Sequence, residues 1–116
     1  MALASVVCMP QHLRTLNHTD ASAQAVDTIL LISGRVCVAY GDLAANEEGS
    51  YIYEASELEV PTAAVTIVAG ETAYWDNGAQ LFTNVVGTNT KCGMFRKAAA
   101  SGDAIASMEL VNSVNL

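Results

Sequence analysis

Thr72-Ala73-Tyr74-Trp75-Asp76-Asn77-Gly78-Ala79-Gln80-Leu81-Phe82-Thr83 is the stretch on which the fold is decided. Its first four residues follow the turn Ala69-Gly70-Glu71 and are rich in the β-branched and aromatic residues that strands favour. Asp76-Asn77-Gly78 then supplies residue types that tolerate positive φ in a tight hairpin turn, so Gln80 to Thr83 is expected to pair back on the first strand. Tyr74, Trp75, Asn77 and Gly78 are thus the core and turn residues of a hairpin. An aromatic as large as Trp75 supplies much of the burial of a small β domain.

Upstream, Thr28-Ile29-Leu30-Leu31-Ile32 reads as a strand buried on both faces and stopped by Ser33-Gly34. Val36, Val38 and Tyr40 then alternate with Arg35, Cys37 and Ala39, as a strand with one core face would. Leu43 to Gly49 is a polar connection to a third strand, Ser50 to Glu54. Glu57 to Pro61 sets acids and aliphatics on opposite faces, and its proline confines the strand to an edge or ends it. Thr62 to Val68 is balanced between helix and strand by Ala63-Ala64 and Val65-Thr66-Ile67-Val68, and strand is the expectation.

Downstream, Val85 to Thr90 is a loop, and Lys91 to Lys97 resumes extended structure with Cys92 and Met94 on one face. Ala104 to Val111 alternates, with Ala106, Met108 and Leu110 on one side and Ile105, Ser107, Glu109 and Val111 on the other. Turns every eight to twelve residues or so predict a mainly β fold, a small antiparallel β-barrel or sandwich of short strands. Residues 1–27, an apolar start followed by a polar stretch from His12 to Asp27 without a period of two, read as an extended N-terminal arm on a 28–116 domain. Such an arm either tucks against its own domain or reaches a neighbour.

The 116 residues suffice for one core without staples. Only 15 % are charged against 52 % apolar, where globular chains average about 25 % charged, so the chain has little polar material with which to cover itself. Exposed apolar area, the usual mark of a protein contact, is the consequence. The net charge of −7, with five scattered cations, argues against nucleic-acid binding, which draws on Lys and Arg displacing counterions. It argues equally against anionic membranes. Cys8, Cys37 and Cys92 fit neither a disulfide framework nor a metal motif and read as small buried hydrophobes. The apolar run Ala2 to Met9 has no preceding cation and is cut short by Pro10, so neither a leader nor a membrane span is expected there, and synthesis and use in a cytoplasm follow.

Catalytic chemistry is not spelled out. His12 and His18 stand in the arm, away from any Gly-framed Ser or Cys and at no zinc spacing, and Glu47-Glu48 reads as a solvated loop. The glycines stand alone and form no phosphate loop. No catalytic, cofactor or metal residue is therefore assigned.

Ala69-Gly70-Glu71-Thr72-Ala73-Tyr74-Trp75-Asp76, followed by Ala98-Ala99-Ala100-Ser101-Gly102-Asp103-Ala104, resembles the capsid cement, or decoration, proteins of tailed phages. That family shows an AGD-x-VYWD strand and hairpin, a GxA strand and an AAASGDA turn before its closing strand. Here Gly93-Met94-Phe95 stands in the GxA place and Met108-Glu109-Leu110 closes. Ser33-Gly34-Arg35-Val36, Tyr40-Gly41 and Leu58-Glu59-Val60-Pro61 extend the likeness over residues 28 to 112, while the arm departs from the family's usual start. The resemblance implies a non-enzymatic protein on the outer surface of a virion head that ties major capsid subunits together. It also implies self-association, a homotrimer ahead of a homodimer, and no cofactor. Leu3, Val6, Val7, Met9, Leu13 and Leu16 are the expected contact residues for shell or partner copy. The rival is a tail or fibre-associated domain gripping a receptor or carbohydrate through Tyr51, Tyr53, Tyr74 and Trp75; a hydrolase using His12 or His18 is a third.

Overall fold

The computed structural model describes residues 3–6 and 12–111. Nine strands follow in chain order: β1 (Ser5–Val6), β2 (Leu13–Thr19), β3 (Ile29–Ile32), β4 (Arg35–Ala39), β5 (Glu48–Pro61), β6 (Thr72–Asp76), β7 (Leu81–Thr83), β8 (Thr90–Phe95) and β9 (Ile105–Val111). All pair antiparallel in one sheet of order β3-β4-β5-β9-β8-β6-β7, with β1 and β2 also on β5. There is no α-helix among the described residues. The expected mainly β fold is the fold observed, as a sheet curled into a half-barrel.

β5 is the spine. Tyr51 and Ile52 pair with β2 on one edge and β4 on the other, and Glu54 and Ala55 pair with β2 and β9. β4 and β9 therefore share one edge of β5, and β2 and β1 share the opposite one. The sequence suggests two strands here, Ser50 to Glu54 and Glu57 to Pro61, but the chain runs through without a break. Two bulges account for the difference: β5 gains a residue on β2 at Tyr53 and another on β9 between Ala55 and Leu58. Each extra residue advances the pleat by one, so Ile52, Ala55, Leu58 and Val60 all face one core although their spacing is not two. Pro61 closes the strand opposite Ile105.

The same device corrects the expected face of β8. Gly93 pairs with Ala73 and Lys91 with Tyr74, which leaves Cys92 as the extra residue. Cys92 and Phe95 are buried, and Met94 points outward. Gly93 lies where a Cβ would run into the Glu109 carbonyl oxygen of β9, so the close approach of these strands requires glycine.

β4 is buried on both faces rather than one. Val36 and Val38 enter the main core, while Cys37 and Ala39 enter a second cluster with Ile32 and Tyr51. Leu16 of β2 and Leu43 cover that second face, which the small side chains at 37 and 39 leave room for. Tyr40, expected on the core face, is exposed, and so is Leu31 on β3, a strand paired on one edge only.

Both hairpins form. Ile32 pairs with Arg35 across Ser33-Gly34, whose φ values of 52° and 80° make the two-residue turn that matches strand twist. The second turn differs from expectation. Asp76 pairs with Leu81, giving a four-residue loop whose positive φ lies at Gln80 and not at Asn77 or Gly78. Trp75 and Phe82 stack across it with ring centroids 4.8 Å apart. Thr62 to Val68, expected as a strand, is a loop making single bridges from Thr62 to Phe82 and from Ile67 to Ala99. The first of these brings β7 back to the end of β5 and completes the curl.

Of residues 1–27, Leu13 to Thr19 pair along β5 and Gln24 bridges Leu43. Val7, Cys8 and Met9 lie outside the described residues.

Candidate docking face

Three connections gather at the end of the half-barrel where β5 stops and β9 begins. Ile67 and Ala99 exchange backbone hydrogen bonds of 2.9 and 3.0 Å, and Thr62 N donates to Ala104 O. Asn84 Nδ2 donates to Thr66 O at 3.0 Å and to the Glu71 carboxylate, and Glu71 Oε1 in turn accepts from Val68 N. The loops are therefore fixed to one another through backbone and side-chain hydrogen bonds.

This end turns aliphatic side chains outward beside the exposed Arg96, Lys97 and Asp103. Val68, Val85, Val86 and Ile105 are 61, 54, 59 and 56 % exposed, the four most exposed large aliphatics among the described residues. No residue from Thr62 to Gly70, from Asn77 to Thr90 or from Ala98 to Gly102 carries a charge. The cations nearest this end are already engaged: Arg96 Nη1 donates to Ser56 O at 2.7 Å, and Lys97 Nζ lies 3.6 Å from Glu57. Those contacts, with Ser107 Oγ first among them, hold the Glu57 carboxyl below its ordinary value. The exposed aliphatic side chains can meet another protein surface without stripping water from an ion, which is the costly step in burial.

The residues expected to make contacts lie elsewhere. Val6 and Leu13 pack half-buried on the main core and Leu16 on the second cluster, whereas Leu3, 52 % exposed, bridges Thr28. Of the four aliphatics of the loop end, Ile105 was legible from the alternation of the last strand, whereas Val68, Val85 and Val86 lie in loops where periodicity gives no signal.

The aromatic residues expected to grip a receptor or carbohydrate are buried or half-buried. Trp75 is 1 % exposed, donates its Nε1–H to Asn77 Oδ1 at 3.0 Å and fills the core, and Tyr51 is fully buried. Tyr53 and Tyr74 are partly buried on different strands. His18 stands edge-on to the Tyr51 ring, its Nε2 3.4 Å from Asp20 Oδ1. His12 lines a shallow groove of about 220 Å³ with Arg14, Glu54 and Glu109. Cys37 and Cys92 are buried in separate clusters, and burial pushes both thiols up to about 12. Among the described residues no group of three or more His, Cys, Asp or Glu could hold a metal ion.

A family model described as phage cement protein matches residues 10–110. The chain belongs to the phage cement protein family. No curated protein matches it closely enough to add a further name. Membership makes this cement protein a structural component of a phage capsid.

Proposed function

We propose that this cement protein binds the outer surface of a phage head and stabilises the contacts between neighbouring major capsid subunits. The observation that carries the reading is the set of exposed aliphatic side chains Val68, Val85, Val86 and Ile105 at the loop end, on loops tied to one another by hydrogen bonds. A standard interface buries roughly 800 Å² per partner, and repetition over a shell lets modest single-site affinity suffice. The net charge of −7 keeps the protein from competing for the packaged genome. Copies are proposed to associate as a trimer, with a dimer as the alternative, and the exposed Leu3 of the arm adds contact to shell or neighbour. The tail-domain reading is less favoured, since of the rings it invokes Trp75 and Tyr51 are buried and Tyr53 and Tyr74 half-buried.

The test is to strip shells of the protein, add it back, and follow shell disruption on heating. Bound protein and a raised disruption temperature are expected. No binding, with shell stability unchanged, would refute the proposal. Light scattering on the free protein separates trimer from dimer.

A further inference from the structure

Asn77-Gly78 is the single Asn–Gly step in the sequence, and the hairpin does not need its glycine. The positive φ lies at Gln80, and a Cβ on Gly78 would meet nothing nearer than Asp76 Oδ1 at 3.5 Å. What the missing Cβ does is leave the Gly78 nitrogen sterically open. That N–H donates no hydrogen bond among the described residues, whereas the next two amides are engaged, Ala79 N with Asp76 Oδ1 and Gln80 N with Asp76 O.

The Asn77 side chain is exposed at the loop tip, yet its carbonyl oxygen is fixed by two donors, Trp75 Nε1 at 3.0 Å and Gln80 Nε2 at 3.3 Å. Hydrogen bonds aimed at an amide oxygen stabilise the oxyanion that forms when a nucleophile adds to its carbon. The amide nitrogen, the group that would leave, has no partner among the described residues. Asp76, whose carboxylate lies beside Gly78, is a proton acceptor within the same loop.

We propose that Asn77 is a site of spontaneous covalent modification. The Gly78 nitrogen gives up its proton to solvent hydroxide and bonds to Asn77 Cγ, and Trp75 Nε1 and Gln80 Nε2 hold the oxyanion of the tetrahedral intermediate. The Cγ–Nδ2 bond then breaks and Nδ2 leaves as ammonia, taking a proton from solvent. Water opens the resulting five-membered imide at either carbonyl, leaving aspartate or isoaspartate at position 77. No oxidation or reduction is involved, and water is the one co-reactant. The aspartate product keeps an acceptor for the Trp75 N–H. The isoaspartate product inserts a methylene into the backbone of the loop that joins Asp76 to Leu81. The other asparagines are followed by His18, Glu47, Val85, Thr90, Ser113 and Leu116, side chains that crowd the attacking nitrogen. Asn84, in addition, commits its Nδ2 to Thr66 and Glu71.

The test is to incubate the intact folded protein in mildly alkaline buffer, digest it, and follow each asparagine by mass spectrometry, with released ammonia measured in parallel. Asn77 is expected to convert ahead of the other asparagines, to a mixture of aspartate and isoaspartate. Gly78→Ala, which the loop accommodates, is expected to slow that conversion roughly tenfold or more, the effect of a modest added barrier. Asn77 remaining intact while another asparagine converts would overturn the proposal, and so would an equal rate in Gly78→Ala.

Discussion

Tyr51 brings the whole side chain of a tyrosine into the second core and leaves its hydroxyl oxygen without a hydrogen-bond partner. Burial, reinforced by the negative charges of Asp20 and Glu47, holds that phenol above its ordinary value. An unpaired buried hydroxyl costs free energy that a phenylalanine of the same shape would not. Tyr51→Phe is therefore expected to leave stability unchanged or raise it by up to about 1 kcal/mol in urea unfolding; a loss above that size would show that the hydroxyl is satisfied in solution. Gly93 is the opposite case. Because a Cβ there meets the Glu109 carbonyl, and a backbone atom cannot swing aside, Gly93→Ala should cost about 1–3 kcal/mol, as overpacking typically does. A melting temperature equal to wild type would mean that β8 and β9 can separate without loss.

The elements differ in how plainly the sequence announces them, and bulges are the physical reason. β9 alternates as read, with Ala106, Met108 and Leu110 inward, because its pairing with β8 is regular and the extra residue opposite it lies on β5. β5 hides its continuity because two inserted residues twice reverse which parity faces the core, and β8 repeats the effect at Cys92. β2 was illegible for another reason. Its edge position leaves Arg14, Thr15, Asn17 and Thr19 exposed, so Leu13 and Leu16 carry little pattern between them. Thr62 to Val68 has strand-forming residues but no neighbouring strand to accept them, and tertiary contacts decide its path. Of the candidate site, composition indicated that apolar surface would be exposed, but its location depends on loops brought together from residues 62–71, 84–89 and 96–104.

The connection from β2 to β3 rests on Asp20. Its carboxylate accepts hydrogen bonds from Gln24 Nε2 at 2.9 Å and Ser22 N at 3.0 Å, faces His18, and is held below its ordinary value of 3.8 by these partners, the Gln24 bond first. A carboxylate whose folded-state value is depressed adds stability that is fully present above the unfolded value and is lost as pH falls through the folded one. Glu57 acts in the same direction from its own ordinary value of 4.5. The thermal midpoint should therefore hold steady above the ordinary carboxylate range and fall as acid is added from there downward. Asp20→Asn should flatten part of that fall while lowering the midpoint at neutral pH. An unchanged acid slope in the variant would remove Asp20 from this role.

At the scale of the whole molecule, charge and greasiness are divided between regions. Eight of the twelve acids fall between Asp20 and Glu59, whereas the loop end holds two, Glu71 and Asp103, and exposes Val68, Val85, Val86 and Ile105. The second region is where a shell contact costs least desolvation, and its loops are tied by the Asn84–Glu71 bonds before any partner arrives, so little ordering remains to be done on binding. Replacing two exposed valines there with aspartate touches no core contact and should leave the fold intact. The direct measurement is thus the amount of Val85→Asp/Val86→Asp protein retained on stripped shells, beside wild type, with both proteins shown by circular dichroism to be folded. Wild type should bind and raise the disruption temperature of the shell, and the folded double variant should bind at least tenfold more weakly, about 1.4 kcal/mol or more. Equal retention of the two proteins would contradict the assignment of this face.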